Sequence, residues 1–204
     1  MTAAPAMTAM PAPAEDYARA RRAMIDSQLR VSEVNDPAVL TAMDRVPRED
    51  YVPAAARGHA YIDRAIPLEN GALAAPLVQG RMLVEARIAP TDRVLVVTGG
   101  SDYLPALVRA MGAACDAIDA PTAATRKGKG VYDLVLVDGA LEVVPTPLAT
   151  QLVDGGRMVT GLVERGVTRL AVGRKVAGSV ALLPLAEIGM PVLAALAAPK
   201  GWSF

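Results

Sequence analysis

Two kinds of hydrophobic spacing divide the chain near residue 90. Over residues 15–43 apolar side chains recur at helical intervals: Ala20, Met24 and Leu29 with Val31 mark one face, and Arg19, Arg21, Arg22 and Arg30 form a solvated one. Within that stretch Asn35-Asp36-Pro37 reads as a cap followed by proline at the first helical position, opening a helix through Met43. Pro47 and Pro53 interrupt any regular element over 47–53. Residues 61–68 read as extended, 71–76 as a small-residue loop, and 76–88 resume helical spacing through Leu77, Met82 and Leu83.

Beyond residue 90 the spacing changes to short continuous apolar runs. Arg93-Val94-Leu95-Val96-Val97 has the pattern of a strand buried on both faces. Thr98-Gly99-Gly100-Ser101-Asp102 is turn chemistry, and 103–111 reads as helix. Residues 115–118 form a second strand ending at Asp119, and 132–137 a third ending at Asp138-Gly139. Residues 148–152 read as a short helix, Gly155-Gly156 as a turn and 157–163 as a fourth strand; 168–172 and 180–183 are expected to pair as a late hairpin. Strands alternating with helices predict an α/β fold, a mostly parallel sheet with right-handed crossovers. Ligands of such sheets sit at the carboxyl ends of the strands, where Thr98–Tyr103, Asp119 and Asp138 all fall.

Composition narrows the chemistry. The 204 residues suit one domain; they are 52 % hydrophobic but only 3 % aromatic, so the core is expected to be small and aliphatic. Lys+Arg 21 balances Asp+Glu 21, which leaves no positive excess to displace counterions from phosphates and argues against nucleic acid. The lone Cys115 cannot form an internal disulfide and reads as a small buried apolar residue, and with the lone His59, read as a surface residue, it cannot build a Cys/His metal site. Residues 1–14 lack a basic start and a continuous apolar stretch, so they read as a disordered tail rather than a secretory signal. The most apolar stretch, 177–199, is interrupted by Ser179, Pro184, Glu187 and Pro191, which argues against a spanning helix, and the cytoplasm is the expected location.

Several segments together carry a more specific likeness. Met24-Ile25-Asp26-Ser27-Gln28-Leu29, Asp36-Pro37-Ala38-Val39-Leu40-Thr41-Ala42-Met43, Val46-Pro47-Arg48-Glu49-Asp50-Tyr51-Val52-Pro53 and Ala60-Tyr61-Ile62-Asp63 resemble the protein-L-isoaspartate O-methyltransferase family in order and spacing. The likeness resumes at 94–103, 132–140 and 145–159, where Gln151-Leu152 and Gly155-Gly156-Arg157 also fit. It implies a Rossmann-like class I methyltransferase sheet with N-terminal helices, residues 15–89 carrying the substrate loop and 90–204 the sheet. It implies S-adenosylmethionine as cofactor and isoaspartyl carboxylates of damaged proteins as substrate. The cofactor site it implies falls on Gly99, Gly100, Ser101, Tyr103, Asp119 and Asp138, with Asp119 at the ribose-binding acid.

Three departures stand out against that resemblance. The family's cofactor turn, Glu-Ile-Gly-x-Gly-Ser-Gly-Tyr, is here Val96-Val97-Thr98-Gly99-Gly100-Ser101-Asp102-Tyr103. Thr98 is expected to resist a positive φ and a close backbone approach. Asp102 is a good cap for the next helix, yet it puts a charge near the place of the cofactor's carboxylate. At ~5 Å and an effective dielectric of ~20 that repulsion is ~3 kcal/mol, about a hundredfold in affinity. Only 120–131 separates Asp119 from the next strand, where the family has a further helix and an edge strand, so that strand is expected to be missing and the adenine pocket altered. The substrate loop Gly71-Ala72-Leu73-Ala74-Ala75-Pro76 is one residue short and places Ala74 where the family has a hydroxyl.

Two functions are compatible with these residues. One is a working, divergent methyltransferase; the other is a pseudoenzyme, a noncatalytic domain that binds a partner protein or another small ligand. A nicotinamide-dependent dehydrogenase would need Gly-x-Gly-x-x-Gly, which is absent. Residues 125–130, with Arg126, Lys127 and Lys129, read as a solvated loop, and the C-terminal Trp202 and Phe204 as a tail folded back on the core or docking a partner.

Overall fold

The computed structural model describes residues 14–198. Of the tail expected at 1–14, residues 1–13 lie outside the described residues and Ala14 already belongs to the first helix; the terminal Trp202 and Phe204 also lie outside them. The chain opens with helix α1 (Ala14–Met24), which widens into a π turn over Ile25–Leu29 and tightens over Arg30–Ser32. That extra residue per turn keeps Met24 and Leu29 wholly buried but rotates Val31, expected on the apolar face, out to 72 % exposure; Val34 is buried instead. Arg21 also leaves the solvated face: its guanidinium donates to the Tyr61 hydroxyl (2.7 Å), Glu49 (3.0 Å) and the Asp44 carbonyl (2.8 Å). Helix α2 (Pro37–Arg45) starts as its sequence requires, with the Asp36 carboxylate accepting from the N–H groups of Ala38 (2.8 Å) and Val39 (3.1 Å).

Residues 61–68 are extended only at their end. Strand β1 (Ile66–Leu68) pairs antiparallel with β2 (Gly71–Leu73), which the small-residue pattern gave as loop. The Ala72 N–H donating to the Gly99 carbonyl at 2.8 Å holds this strand in place, a long-range bond invisible to local pattern. Helix α3 (Pro76–Ala86) comes next, then β3 (Arg93–Thr98), α4 (Tyr103–Ala110), β4 (Ala114–Asp119), α5 (Ala120–Thr125), β5 (Tyr132–Leu141), α6 (Thr146–Ala149), β6 (Leu152–Glu164), β7 (Val167–Val176) and β8 (Ser179–Glu187).

The main sheet has the order β4-β3-β5-β6-β7-β8. Its first four strands are parallel, and β7 runs antiparallel to its neighbours β6 and β8, so the late hairpin is present and longer than expected. Strand β4 ends the sheet, with the single short α5 crossing to β5, which agrees with the absence of one edge strand. The Gly155-Gly156 turn is instead an irregularity inside β6, with Gly155 at φ +76°.

Alternation along the central strands builds two cores. Val94, Val96, Leu134 and Leu136 face the layer formed by α1 to α4, whereas Leu95, Val97, Val135 and Val137 face α5, α6 and a turn at Ala194–Leu196. All eight are wholly buried, as a parallel sheet covered on both sides demands. Cys115 is half-buried on β4, its thiol pushed up to about 11 by burial, and His59 is exposed. No helix among the described residues is long and apolar enough to cross a membrane.

Candidate functional site

A cleft of about 640 Å³ opens at the carboxyl ends of β3 and β4, within the size range of small-molecule sites. Four segments wall it. Thr98–Asp102 form the turn from β3 into α4, Asp119–Pro121 the turn from β4 into α5, Asn70 and Gly71 the tip of the β1–β2 hairpin, and Val192–Ala195 the remaining side. The last segment is tied to β5 by mutual bonds between Ala140 and its neighbours: the Ala140 N–H donates to the Pro191 carbonyl and the Leu193 N–H to the Ala140 carbonyl, both at 2.8 Å. A second cleft of about 460 Å³ shares Asn70, Gly100, Ser101 and Asp102 with the first and carries Asp50, Tyr51 and Glu69.

The Gly-rich turn is built differently from expectation. Thr98 stays in extended backbone, paired with Asp119 across the sheet, and the positive φ falls on Gly100 (+116°). Close approach is required at Gly99 and Gly71: a Cβ on Gly99 would collide with the Asp138 carbonyl, and one on Gly71 with the Gly99 carbonyl. Thr98 therefore does not distort the turn, because neither demand falls on it. Asp102 precedes α4 but its side chain makes no capping bond; its φ −86° and ψ 12° lie outside the extended region from which caps reach back. Ser101 Oγ instead accepts the Tyr103 N–H at 3.2 Å. The Asp102 side chain is left exposed between the two clefts.

Gly99, Gly100, Ser101 and Asp119 thus come together on the cleft wall. The Asp119 carboxylate accepts the Thr122 N–H at 2.8 Å, and hydrogen bonding from Thr122 holds its pKa below the usual value. Tyr103 and Asp138 do not line the cleft: both are wholly buried behind it. Strand alternation sends Val137 to the α5 side and Asp138 to the α3 side, where Asp138 Oδ2 accepts from Gln79 Nε2 at 3.0 Å. Asp138 Oδ1 and the Tyr103 hydroxyl have no hydrogen-bond partner among the described residues. Burial lifts the Asp138 pKa to about 6, against the opposing pull of the Gln79 bond and the Arg48 charge. Ala74 is likewise fully buried rather than presented to the cleft. Residues 125–130 lie beside Thr150 and Gln151 instead, the Gln151 amide donating to the Arg126 carbonyl at 2.8 Å.

Two polar residues behind the cleft escaped the sequence reading. Arg48 is wholly buried, and its guanidinium donates to the carbonyls of Ala60 (2.7 Å) and Ala74 (2.5 Å) and to Gln79 Oε1 (2.7 Å). It also lies 5.0 Å from the centre of the Tyr103 ring. Gln79 is itself wholly buried. Its signal was a polar residue on the apolar face of 76–88, three positions from both Pro76 and Met82.

An open, mostly parallel sheet with a glycine-lined cleft at the carboxyl ends of its strands defines a Rossmann-like α/β protein of the small-molecule-binding kind. Known proteins narrow this further. The sequence model of the family described as Protein-L-isoaspartate(D-aspartate) O-methyltransferase (PCMT) matches residues 19–120. A protein-L-isoaspartate O-methyltransferase of Koribacter versatilis is 35 % identical over 188 residues, covering 79 % of this chain and 85 % of the relative. One of Roseiflexus castenholzii is 34 % identical over 170 residues, covering 71 % and 78 %. Among solved structures, the fold matches a protein described as a protein-L-isoaspartate O-methyltransferase from Plasmodium falciparum in complex with S-adenosyl-L-homocysteine, with TM-score 0.70 at 15 % identity over 88 % of this chain and 98 % of that one. The chain belongs to the protein-L-isoaspartate O-methyltransferase family.

Proposed function

We propose that this protein transfers a methyl group from S-adenosylmethionine to the free carboxylate of isoaspartyl residues in damaged proteins, and that it does so in the cytoplasm, where a single unpaired cysteine is expected. The observation that carries the reading is the cleft itself, where Gly99, Gly100, Ser101 and Asp119 converge at the ends of β3 and β4 in a chain of this family. The fit is good on size, on the bare backbone of the glycines and on Asp119, whose exposed carboxylate stands on the cleft wall at the end of β4. Asp102, in the Gly-rich turn itself, opposes a bound carboxylate.

When bound, the cofactor supplies an electrophilic sulfonium methyl. The chain's part is positional. An isoaspartyl carboxylate is ionised at neutral pH, so no general base is required, and alignment of its oxygen with the methyl supplies the acceleration. Gly99 and Gly100 let the backbone approach the donor, and Ser101 braces the first turn of α4 through the Tyr103 N–H. Tyr103 and Asp138 support this wall from behind. The Ala74 side chain is fully buried and makes no part of the surface offered to the substrate. Of the two functions left open by the sequence, the named relatives support this one.

Calorimetric titration with S-adenosylmethionine and S-adenosylhomocysteine, followed by methylation of an isoaspartyl peptide against its aspartyl isomer, tests the reading. Micromolar binding and isomer-selective methylation are expected. No heat up to millimolar cofactor would remove it in favour of a noncatalytic, partner-binding domain.

A further inference from the structure

We infer that Arg48, Gln79 and Asp138 form a directional relay of positioning residues that locks the base of the β1–β2 hairpin, and so sets the wall shared by the two clefts.

The direction comes from donor and acceptor chemistry. Arginine only donates, so the Gln79 oxygen must face Arg48 and its nitrogen must face Asp138. One end of the relay is anchored on β5 by Asp138. The other holds the peptides of Ala60 and Ala74, the latter immediately after β2. Between these anchors the hairpin is held at only one more backbone point outside itself among the described residues, the Ala72 N–H on Gly99. Its tip, Asn70 and Gly71, walls the larger cleft, and Asn70 also walls the smaller.

Stability alone does not account for this arrangement. A buried guanidinium and a buried carboxyl each carry a desolvation cost that an apolar cluster of equal volume would avoid. The relay instead fixes a loop whose sequence, Gly71-Ala72-Leu73-Ala74-Ala75, has no large polar side chain with which to fix itself. Arg48 stacks on Tyr103, the first residue of α4, so the same guanidinium couples the hairpin to the Gly-rich turn.

The relay adds a role to the site proposed above and rests on that reading only for its effect on turnover, so one experiment separates the two. Hydrogen exchange is measured on the full chain, with binding of S-adenosylhomocysteine and methylation of an isoaspartyl peptide in parallel. In Gln79→Met the Ala72 amide is expected to exchange about tenfold faster or more while the Val94–Val97 amides keep their protection. The kcat is expected to fall about tenfold, more than KM changes. Asp138→Asn keeps an oxygen to accept from Gln79 and should preserve hairpin protection and kcat within about threefold; Asp138→Val, which accepts nothing, should behave like Gln79→Met. If Gln79→Met does not fold, Gln79→Asn, one methylene too short to reach both neighbours, is read in the same way. Equal loss of protection in the hairpin and β3, or identical behaviour of Asp138→Asn and Asp138→Val, overturns the relay. A wild-type chain that neither binds nor methylates overturns the methyltransferase reading, and the exchange arm still decides the relay.

Discussion

Asp138 gives the most direct test of how burial sets chemistry in this fold. Its carboxyl is wholly buried, with Oδ2 bonded to Gln79 and Oδ1 without a partner among the described residues. Burial raises its pKa from 3.8 to about 6, while Gln79 and the Arg48 charge pull downward without winning. The folded state therefore favours the protonated form. Stability from this group is fully present below about pH 3.8 and is lost as pH rises to about 6. At about 1.4 kcal/mol per unit, the whole change is about 3 kcal/mol. Asp138→Asn removes the titration while keeping shape and an acceptor for Gln79. Its buried amide N–H groups carry a cost of their own, about 1–3 kcal/mol, which does not vary with pH. The informative quantity is hence the difference in unfolding free energy between variant and wild type as a function of pH. Urea unfolding at intervals from pH 4 to 8 should show that difference moving by about 2 kcal/mol in the variant's favour between pH 4 and 6, and levelling above about pH 7. Parallel stability profiles would refute the argument and mean that Asp138 ionises freely in the folded chain.

Other consequences are simpler to read. Asp102→Asn removes the exposed carboxylate between the two clefts and should tighten S-adenosylhomocysteine binding about tenfold at low salt, with a smaller gain at high salt, as calorimetry would record. Gly71→Ala meets both a positive φ of +131° and the Gly99 carbonyl, so it should cost about 1–3 kcal/mol in denaturant unfolding and weaken ligand binding at the cleft. Asp36→Ala removes the bonds to the Ala38 and Val39 N–H groups and should cost about 1 kcal/mol, visible as a lower urea midpoint with ligand affinity unchanged.

Local sequence determined whatever depends on neighbours within a turn or along a strand. The run Val94–Val97 is buried on both faces because continuous β-branched and aliphatic residues suit no half-exposed strand, and Asp36-Pro37 starts α2 because the cap needs nothing distant. The mostly parallel sheet with its late hairpin, the absent edge strand and the place of Gly99, Gly100, Ser101 and Asp119 at the strand ends were equally legible, from the alternation of elements and from the family resemblance. Tertiary structure alone decided the rest. Gly71–Leu73 became a strand because Gly99 supplies a partner, Val31 turned outward because the helix gains a π turn before it, and Thr98 proved harmless because the positive φ falls two residues later. Asp138 reads in sequence as a residue at a strand end, where ligands bind. Its burial against Gln79 and Arg48, 59 and 90 positions away by their numbers, sets its pKa and its role, and no local pattern holds that information because the low dielectric that raises it exists only once α3 has packed on β5.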